Sequence, residues 1–281
     1  MINLAEYCAP GAAYEEEMIS VSENVSLRLI TFTPAKTTDN PPVLFVAGWI
    51  SLISGWKEIL KEMTRDFKVY YIETREKISS RVHGKENFGV EDIGKDLVDL
   101  VSLLKFSSKN YFMLGSSLGA TAILDCSQHL KIPPKCLVLI GPNAVFRVPR
   151  FGKAIVTIFW PRLYFFIRPL VKFYLKNFRL DVKSDYAQYE KYCTALDIAD
   201  PWKLKNAVMR LWNYEVWDIL GKISFPTLIV GASRDDLHEP ENLKRMVSMM
   251  PQATYVDLET NKGTHSKPMV DEVRNYISTL K

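Results

Sequence analysis

Residues 111–130 read YFMLGSSLGATAILDCSQHL, and the stretch changes character halfway along. Tyr111 to Leu114 is a short apolar run of the kind a parallel sheet buries on both faces. From Leu118 to Leu130 the composition and spacing are those of a helix. Between them stands Gly115-Ser116-Ser117-Leu118-Gly119, a Gly-x-Ser-x-Gly pattern in the strand–turn–helix setting that gives such a pattern meaning. The reason is steric. A side chain presented at the top of a strand must sit on a tight, strained turn, and the flanking glycines remove Cβ atoms that would collide there. Ser117 takes the central position, with Ser116 its neighbour on the strand side. The turn puts Ser117 at a helix amino terminus, where N–H groups and the helix dipole favour developing negative charge.

Outward from this stretch the chain alternates strand and helix. EEEMISV and VSLRLITFT form a hairpin about Ser22-Glu23-Asn24. VLFVA (Val43 to Ala47) is a buried strand bounded by Pro42 and Gly48. A helix over Ile53–Thr64, the strand KVYYIE and a helix over Val90–Phe106 follow. CLVLIG is the sixth strand. PTLIVG, a helix over Glu239–Met250, ATYVDL and a closing helix over Pro268–Leu280 complete the pattern, with Pro268 suited to a first turn. Strands alternating with helices predict a mostly parallel, eight-stranded sheet wrapped by helices. From Pro142 to Lys222 the alternation gives way to aromatic, basic, helix-like sequence. The expected organisation is therefore a core over 1–141 and 223–281, with a helical cap over 142–222 inserted after the sixth strand.

A serine hydroxyl is a poor nucleophile at neutral pH unless a base takes its proton. The chain has four histidines. His83 lies in a loop after a strand, His129 at a helix carboxyl end, His238 between a strand and the next helix. His265, in Asn261-Lys262-Gly263-Thr264-His265-Ser266, lies between the last strand and the last helix. Loops leaving the carboxyl ends of parallel strands gather on one edge, so His265 and Ser117 share it. One strand earlier, ASRDDLHEP offers adjacent carboxylates, Asp235 and Asp236, on the same edge.

Composition is that of an ordinary globular chain: 281 residues, 47% hydrophobic and 24% charged, with net charge +4. Its charge is unevenly spread. No acidic residue occurs between Asp125 and Asp181, an interval that contains ten lysines and arginines. The aromatic members of that interval are Phe146, Phe151, Phe159, Trp160, Tyr164, Phe165, Phe166, Phe173, Tyr174 and Phe178. The most lipid-like run, Ala154 to Leu175, carries Arg162, Arg168, Lys172 and two prolines, which argues against a span while leaving a surface-lying role. Cys8, Cys126, Cys136 and Cys193 are scattered without CxxC pairing and read as reduced, mostly buried thiols. The amino terminus lacks a basic start and an apolar segment, so a cytoplasmic location is expected. No metal or cofactor is called for.

Taken together, the chain resembles the capped, single-domain α/β-hydrolase superfamily over nearly its whole length. VLFVAGW (Val43–Trp49) is similar to the family's third strand and oxyanion loop, and ETREKISS (Glu73–Ser80) to its arginine- and glycine-containing strand-end segment. GSSLG is the elbow, and GASRDD and KGTHS are the acid and histidine loops. The resemblance implies a Ser117–Asp235–His265 triad in the order this fold uses; the acid's place before Pro240 favours Asp235 over Asp236. It also implies an oxyanion hole from the backbone N–H groups of Trp49 and Leu118. Two departures stand out. Ala47 replaces the usual histidine, and Glu76-Lys77 replace the usual glycines after Arg75. Ser117 excludes the aspartate nucleophile of the family's dehalogenases and epoxide hydrolases. The expected activity is hydrolysis of a lipophilic carboxylic ester or thioester through an acyl-enzyme, with no nucleic-acid partner. Carbon–carbon bond hydrolases and cofactor-free haloperoxidases share the triad, and non-catalytic binding proteins share the fold. The basic cap adds an expected peripheral contact with anionic membrane.

Overall fold

In the computed structural model, which describes residues 2–146, 156–158, 160–180, 182, 185–234 and 240–280, the predicted strands assemble into one sheet. The expected hairpin is β1 (Ala13–Ser20) and β2 (Val25–Thr33). Then come β3 (Val43–Val46), β4 (Val69–Glu73), β5 (Arg81–Val82), β6 (Phe112–Ser116), β7 (Leu137–Ile140), β8 (Thr227–Gly231) and β9 (Ala253–Asp257). Their order is β1-β2-β4-β3-β6-β7-β8-β9. β3, β4 and β6 to β9 run parallel, and the hairpin joins them antiparallel through β2 and β4. The eight strands on this path are the eight predicted. β5 is an addition off that path, two residues pairing with Val25 and Ser26; a strand so short carries no periodicity for a sequence to display.

The apolar runs β3, β6, β7 and β8 are buried along their whole length. Successive side chains point to opposite faces, so each strand feeds two cores. Leu44, Val46, Met113, Leu139 and Ile229 pack against α2 (Val90–Leu103) and α3 (Leu118–Cys126). Val43, Phe45, Leu114, Val138 and Val230 face the other way, onto α1 (Lys57–Met63) and the closing helix Lys267–Thr279. At the edge, β1 exposes Glu15, Glu16 and Glu17, charges that discourage further strand pairing. α3 stops at Cys126, short of the expected Leu130. There the Ser127 hydroxyl donates back to Leu124 O (2.7 Å) and His129 N closes a turn on Cys126 O (2.9 Å).

Between β7 and β8 the chain leaves the sheet and forms α4 (Tyr164–Tyr174), α5 (Tyr186–Ile198), α6 (Pro201–Leu211) and α7 (Trp217–Leu220). The two ends of this excursion are pinned together, since Val145 bridges Glu215 and Val216 N donates to Ala144 O (3.0 Å). The chain then returns through α8 (Pro240–Met249), α9 (Asn261–Thr264) and α10, the closing helix. Among the described residues no helix is long and apolar enough to cross a membrane. Cys8, Cys126 and Cys136 are buried free thiols and Cys193 is half-buried; burial pushes the Cys136 thiol up to about 12. Phe151 and Phe159 of the aromatic interval, and Arg147, Arg150 and Lys153 of the basic one, lie outside the described residues.

Candidate active site

Ser117 sits between β6 and α3 with φ 49° and ψ −117°. A non-glycine residue held there stores about 1–3 kcal/mol of strain, tolerated only where the surroundings over-determine it. They do so here. Ser117 N donates to Ile140 O at the end of β7 (2.8 Å), and Thr121 N in α3 donates to Ser117 O (3.0 Å). Neither flanking glycine needs a positive φ; each is required for close approach. A Cβ on Gly119 would lie 2.3 Å from Val46 O and 2.7 Å from Ala47 O, and one on Gly115 would lie 2.6 Å from Ile123 Cδ1. The glycines therefore let α3 begin hard against the end of β3, as the steric reading of the motif requires.

The end of β3 carries the segment expected to supply an oxyanion donor. Trp49 lines the cavity beside Ser117. Leu118, the other predicted donor, is the first residue of α3, so its N–H has no intrahelical acceptor. Lys77, one of the residues that stand where the resemblance leads one to expect glycine, reaches this loop. Lys77 is buried, and its ammonium donates to Gly48 O (2.9 Å), Thr74 Oγ1 (2.9 Å) and Glu76 Oε1 (2.8 Å). Ser51 N donates to the same Gly48 carbonyl (3.1 Å). A trans peptide is planar, so fixing Gly48 C=O also fixes the direction of Trp49 N–H. Arg75 holds the base of this strand-end loop through a bidentate pair with buried Asp96 (2.7 and 2.6 Å).

His265 follows α9, whose first turn is capped by Thr260 (Gly263 N to Thr260 Oγ1, 3.1 Å). Gly263 folds against the end of β9, where a Cβ would meet Leu258 O at 2.4 Å. The imidazole stacks on buried Trp56 (centroids 4.4 Å apart, planes at 25°). Its Nδ1 lies 2.9 Å from Asn261 O and 3.0 Å from Thr264 Oγ1. A carbonyl can only accept, so Nδ1 carries the hydrogen of the neutral ring and Nε2 is the basic nitrogen. That is the tautomer a general base acting through Nε2 needs. His265 and Ser117 line one and the same cavity.

Asp235, the predicted acid, lies outside the described residues, as do Asp236 and His238. The stem leading to them is described. Ser233 N donates to Asp257 Oδ1 (2.9 Å) and Arg234 N to Glu259 O (2.8 Å), while Glu259 N also donates to Asp257 Oδ1 (2.8 Å). Asp257 thus ties the stem of the acid loop to that of the histidine loop. Burial alone pushes the Asp257 carboxyl up; the Ser233 and Glu259 hydrogen bonds and the nearby Arg234 outweigh it and hold the group below the usual carboxylate range.

Sequence reasoning missed two further polar groups here. Asn143 Nδ2 donates to Ser117 Oγ (2.8 Å), and Asn143 is itself fixed through Thr121 Oγ1, which accepts from Asn143 N (2.9 Å). An amide cannot take the serine proton; it orients the hydroxyl and leaves the hydroxyl's own hydrogen for a base. The available signal was its place, directly after a buried strand at the carboxyl edge. Gln188, buried on α5, lines the cavity with no partner for Nε2 among the described residues, and nothing in α5's sequence marks it. The cavity holds about 520 Å³ and is otherwise walled largely by apolar side chains of the insertion, among them Ile167, Val171, Leu175 and Val208. Among the described residues no cluster of three or more His, Cys, Asp or Glu side chains is placed to hold a metal ion.

No protein-family model matches the chain, and no curated protein matches it in sequence. Solved structures do match it in shape. A thermophilic esterase from Thermogutta terrifontis, solved with malate bound, aligns at TM-score 0.75 and 18% identity over 95% of this chain and 99% of that one. A hydrolase from Pseudomonas aeruginosa PA01 gives TM-score 0.76 and 16% identity over 95% and 98% of the two chains. A bromoperoxidase from Bacillus anthracis gives 0.73 and 14% over 94% and 100%. The chain has the α/β-hydrolase fold.

Proposed function

We propose that this α/β-hydrolase-fold protein is a serine hydrolase that cleaves a carboxylic ester or thioester of a lipophilic substrate. Ser117 Oγ attacks the acyl carbon as His265 Nε2 takes its proton, and Asp235 holds the imidazolium. The amides of Leu118 and Trp49 receive the oxyanion, a contribution of about 3 kcal/mol per donor in the transition state. His265 then gives the proton to the departing alcohol or thiol, leaving an ester on Ser117. Water, losing a proton to His265, attacks that ester; the acid leaves and the serine hydroxyl is restored.

The observation that carries this reading is the strained Ser117 backbone. Strain of that size persists in a fold for a reason, and here it presents a hydroxyl into the cavity that His265 also lines, with the imidazole's Nδ1 facing a carbonyl. The substrate class rests on the cavity. Its volume suits a small-molecule ligand, and its apolar walls favour an acyl chain over a charged one. The inserted helices act as the lid of that cavity.

Ser117→Ala should keep the wild-type circular dichroism and unfolding temperature while turnover of an activated p-nitrophenyl ester falls by at least about ten-thousand-fold. kcat/KM of the wild-type protein should rise with acyl length. A variant that still turns over the ester would remove Ser117 from the mechanism, and a flat chain-length profile would remove the lipophilic assignment.

A further inference from the structure

Helix α4 is apolar on two sides, and only one of them is used. Tyr164, Ile167, Val171 and Leu175 turn inward and wall the cavity. Phe166, Leu170 and Phe173, which helical spacing puts within about 60° of one another on the other side, are 79%, 67% and 61% exposed. Phe178, in the turn that follows the helix, is 68% exposed and stacks on Tyr174. Three large apolar side chains in a row, left in water, mark a docking surface. No other element among the described residues concentrates exposed aromatic side chains in this way.

The surrounding charge says what docks. Arg162 and Lys176 stand exposed at the two ends of the helix. Arg168 and Lys172 lie along its flank, where both reach Asp197 (3.2 and 2.6 Å). The sequence carries no acidic residue from Cys126 to Leu180. A second copy related by a two-fold axis would set this basic rim against itself. An anionic bilayer offers both what the apolar stripe lacks and what the rim attracts.

We propose that the outer face of α4 docks the protein on an anionic lipid surface, with the helix lying in the plane of the interface. Phe166, Leu170 and Phe173 enter the acyl boundary, and Arg162 and Lys176 meet the headgroups. The inference goes beyond the hydrolytic reading and does not need it, because docking is measured without turnover. If both hold, the helix that touches lipid is also one wall of the acyl cavity, so a substrate drawn from the bilayer has a short route inward.

The test is flotation with vesicles of phosphatidylcholine alone and with added phosphatidylglycerol. The wild-type chain should float with the anionic vesicles and be released as salt rises. The triple variant Phe166→Ser, Leu170→Ser, Phe173→Ser should lose at least about tenfold in partitioning while its unfolding temperature is unchanged. The charge variant Arg162→Glu, Lys176→Glu should lose partitioning onto anionic vesicles and its salt dependence together. Light scattering without lipid should give a monomer mass for the wild-type chain. Absence of flotation, equal flotation of either variant, or a wild-type dimer that the serine variant dissolves would overturn the proposal; the last would assign the face to a second copy.

Discussion

The residue on which most depends is Ser117, and its neighbours divide into those a sequence displays and those it hides. Ser117 and its two glycines were legible because backbone sterics allow few residue types at that turn. Lys77 was visible only as a misfit, a lysine where the family has glycine. Its effect lies in a single hydrogen bond to Gly48 O that connects segments 29 residues apart. Asn143 was invisible because an asparagine after a strand has many ordinary uses. If Lys77 orients the Trp49 amide, Lys77→Met should lower kcat about tenfold to a hundredfold with KM nearly unchanged. The single variant also leaves Glu76 buried without its cation, a cost of about 3–5 kcal/mol. Glu76→Leu combined with Lys77→Met separates the two effects: the unfolding temperature should recover and kcat should not. Recovery of kcat in the double variant would reduce Lys77 to a structural role.

At the scale of elements, the strands and the core helices were readable because unbroken apolar runs and helical spacing have no other economical use in a sheet covered on both faces. The two-residue β5 and the early end of α3 were not readable. One has no period, and the other is set by Ser127 turning its hydroxyl back on the helix. The joining of the β8 and β9 loops was equally hidden, since it depends on Asp257, one exposed carboxylate among many. The carboxyl is held below its ordinary range, so its contribution to stability is present above the ordinary aspartate value of about 3.9 and is lost as pH falls through the lower folded value. Asp257→Asn should therefore melt roughly 2 °C below wild type at neutral pH, with the gap closing in acid below about pH 4. A gap that stays constant into acid, measured by thermal unfolding across pH, would detach the charge from the loop junction.

For the molecule as a whole, the excursion between β7 and β8 was foreseeable from the break in alternation, but its inside and outside were not. Positions 164–175 are apolar at nearly every step, so the sequence offers no contrast to separate the cavity wall from the outer face. Several contacts fasten the excursion to the core, among them Tyr214 Oη on Asp125 Oδ1 (2.8 Å) and the Lys203 ammonium. Lys203 in α6 donates to Lys77 O and Ser80 O (2.6 Å each), on the strand-end loop that also positions Gly48. Burial pulls the Lys203 ammonium below the usual lysine range, against the opposing charges of Asp200 and Glu76. Lys203→Met removes the ammonium from Ser80 O and leaves Lys77 O with the Ser80 N–H (3.2 Å), at a cost of about 1–3 kcal/mol. It should raise KM for a long-chain ester about fivefold while leaving a short activated ester unchanged; equal effects on both substrates would show that α6 does not shape the acyl site. The central claim, that a strained turn holds an activated serine, is tested most directly by reaction with a fluorophosphonate followed by peptide mass spectrometry. The account predicts a single phosphonyl adduct on Ser117, lost in His265→Ala. An unlabelled chain, or an adduct on Ser116 or elsewhere with Ser117 untouched, would contradict it.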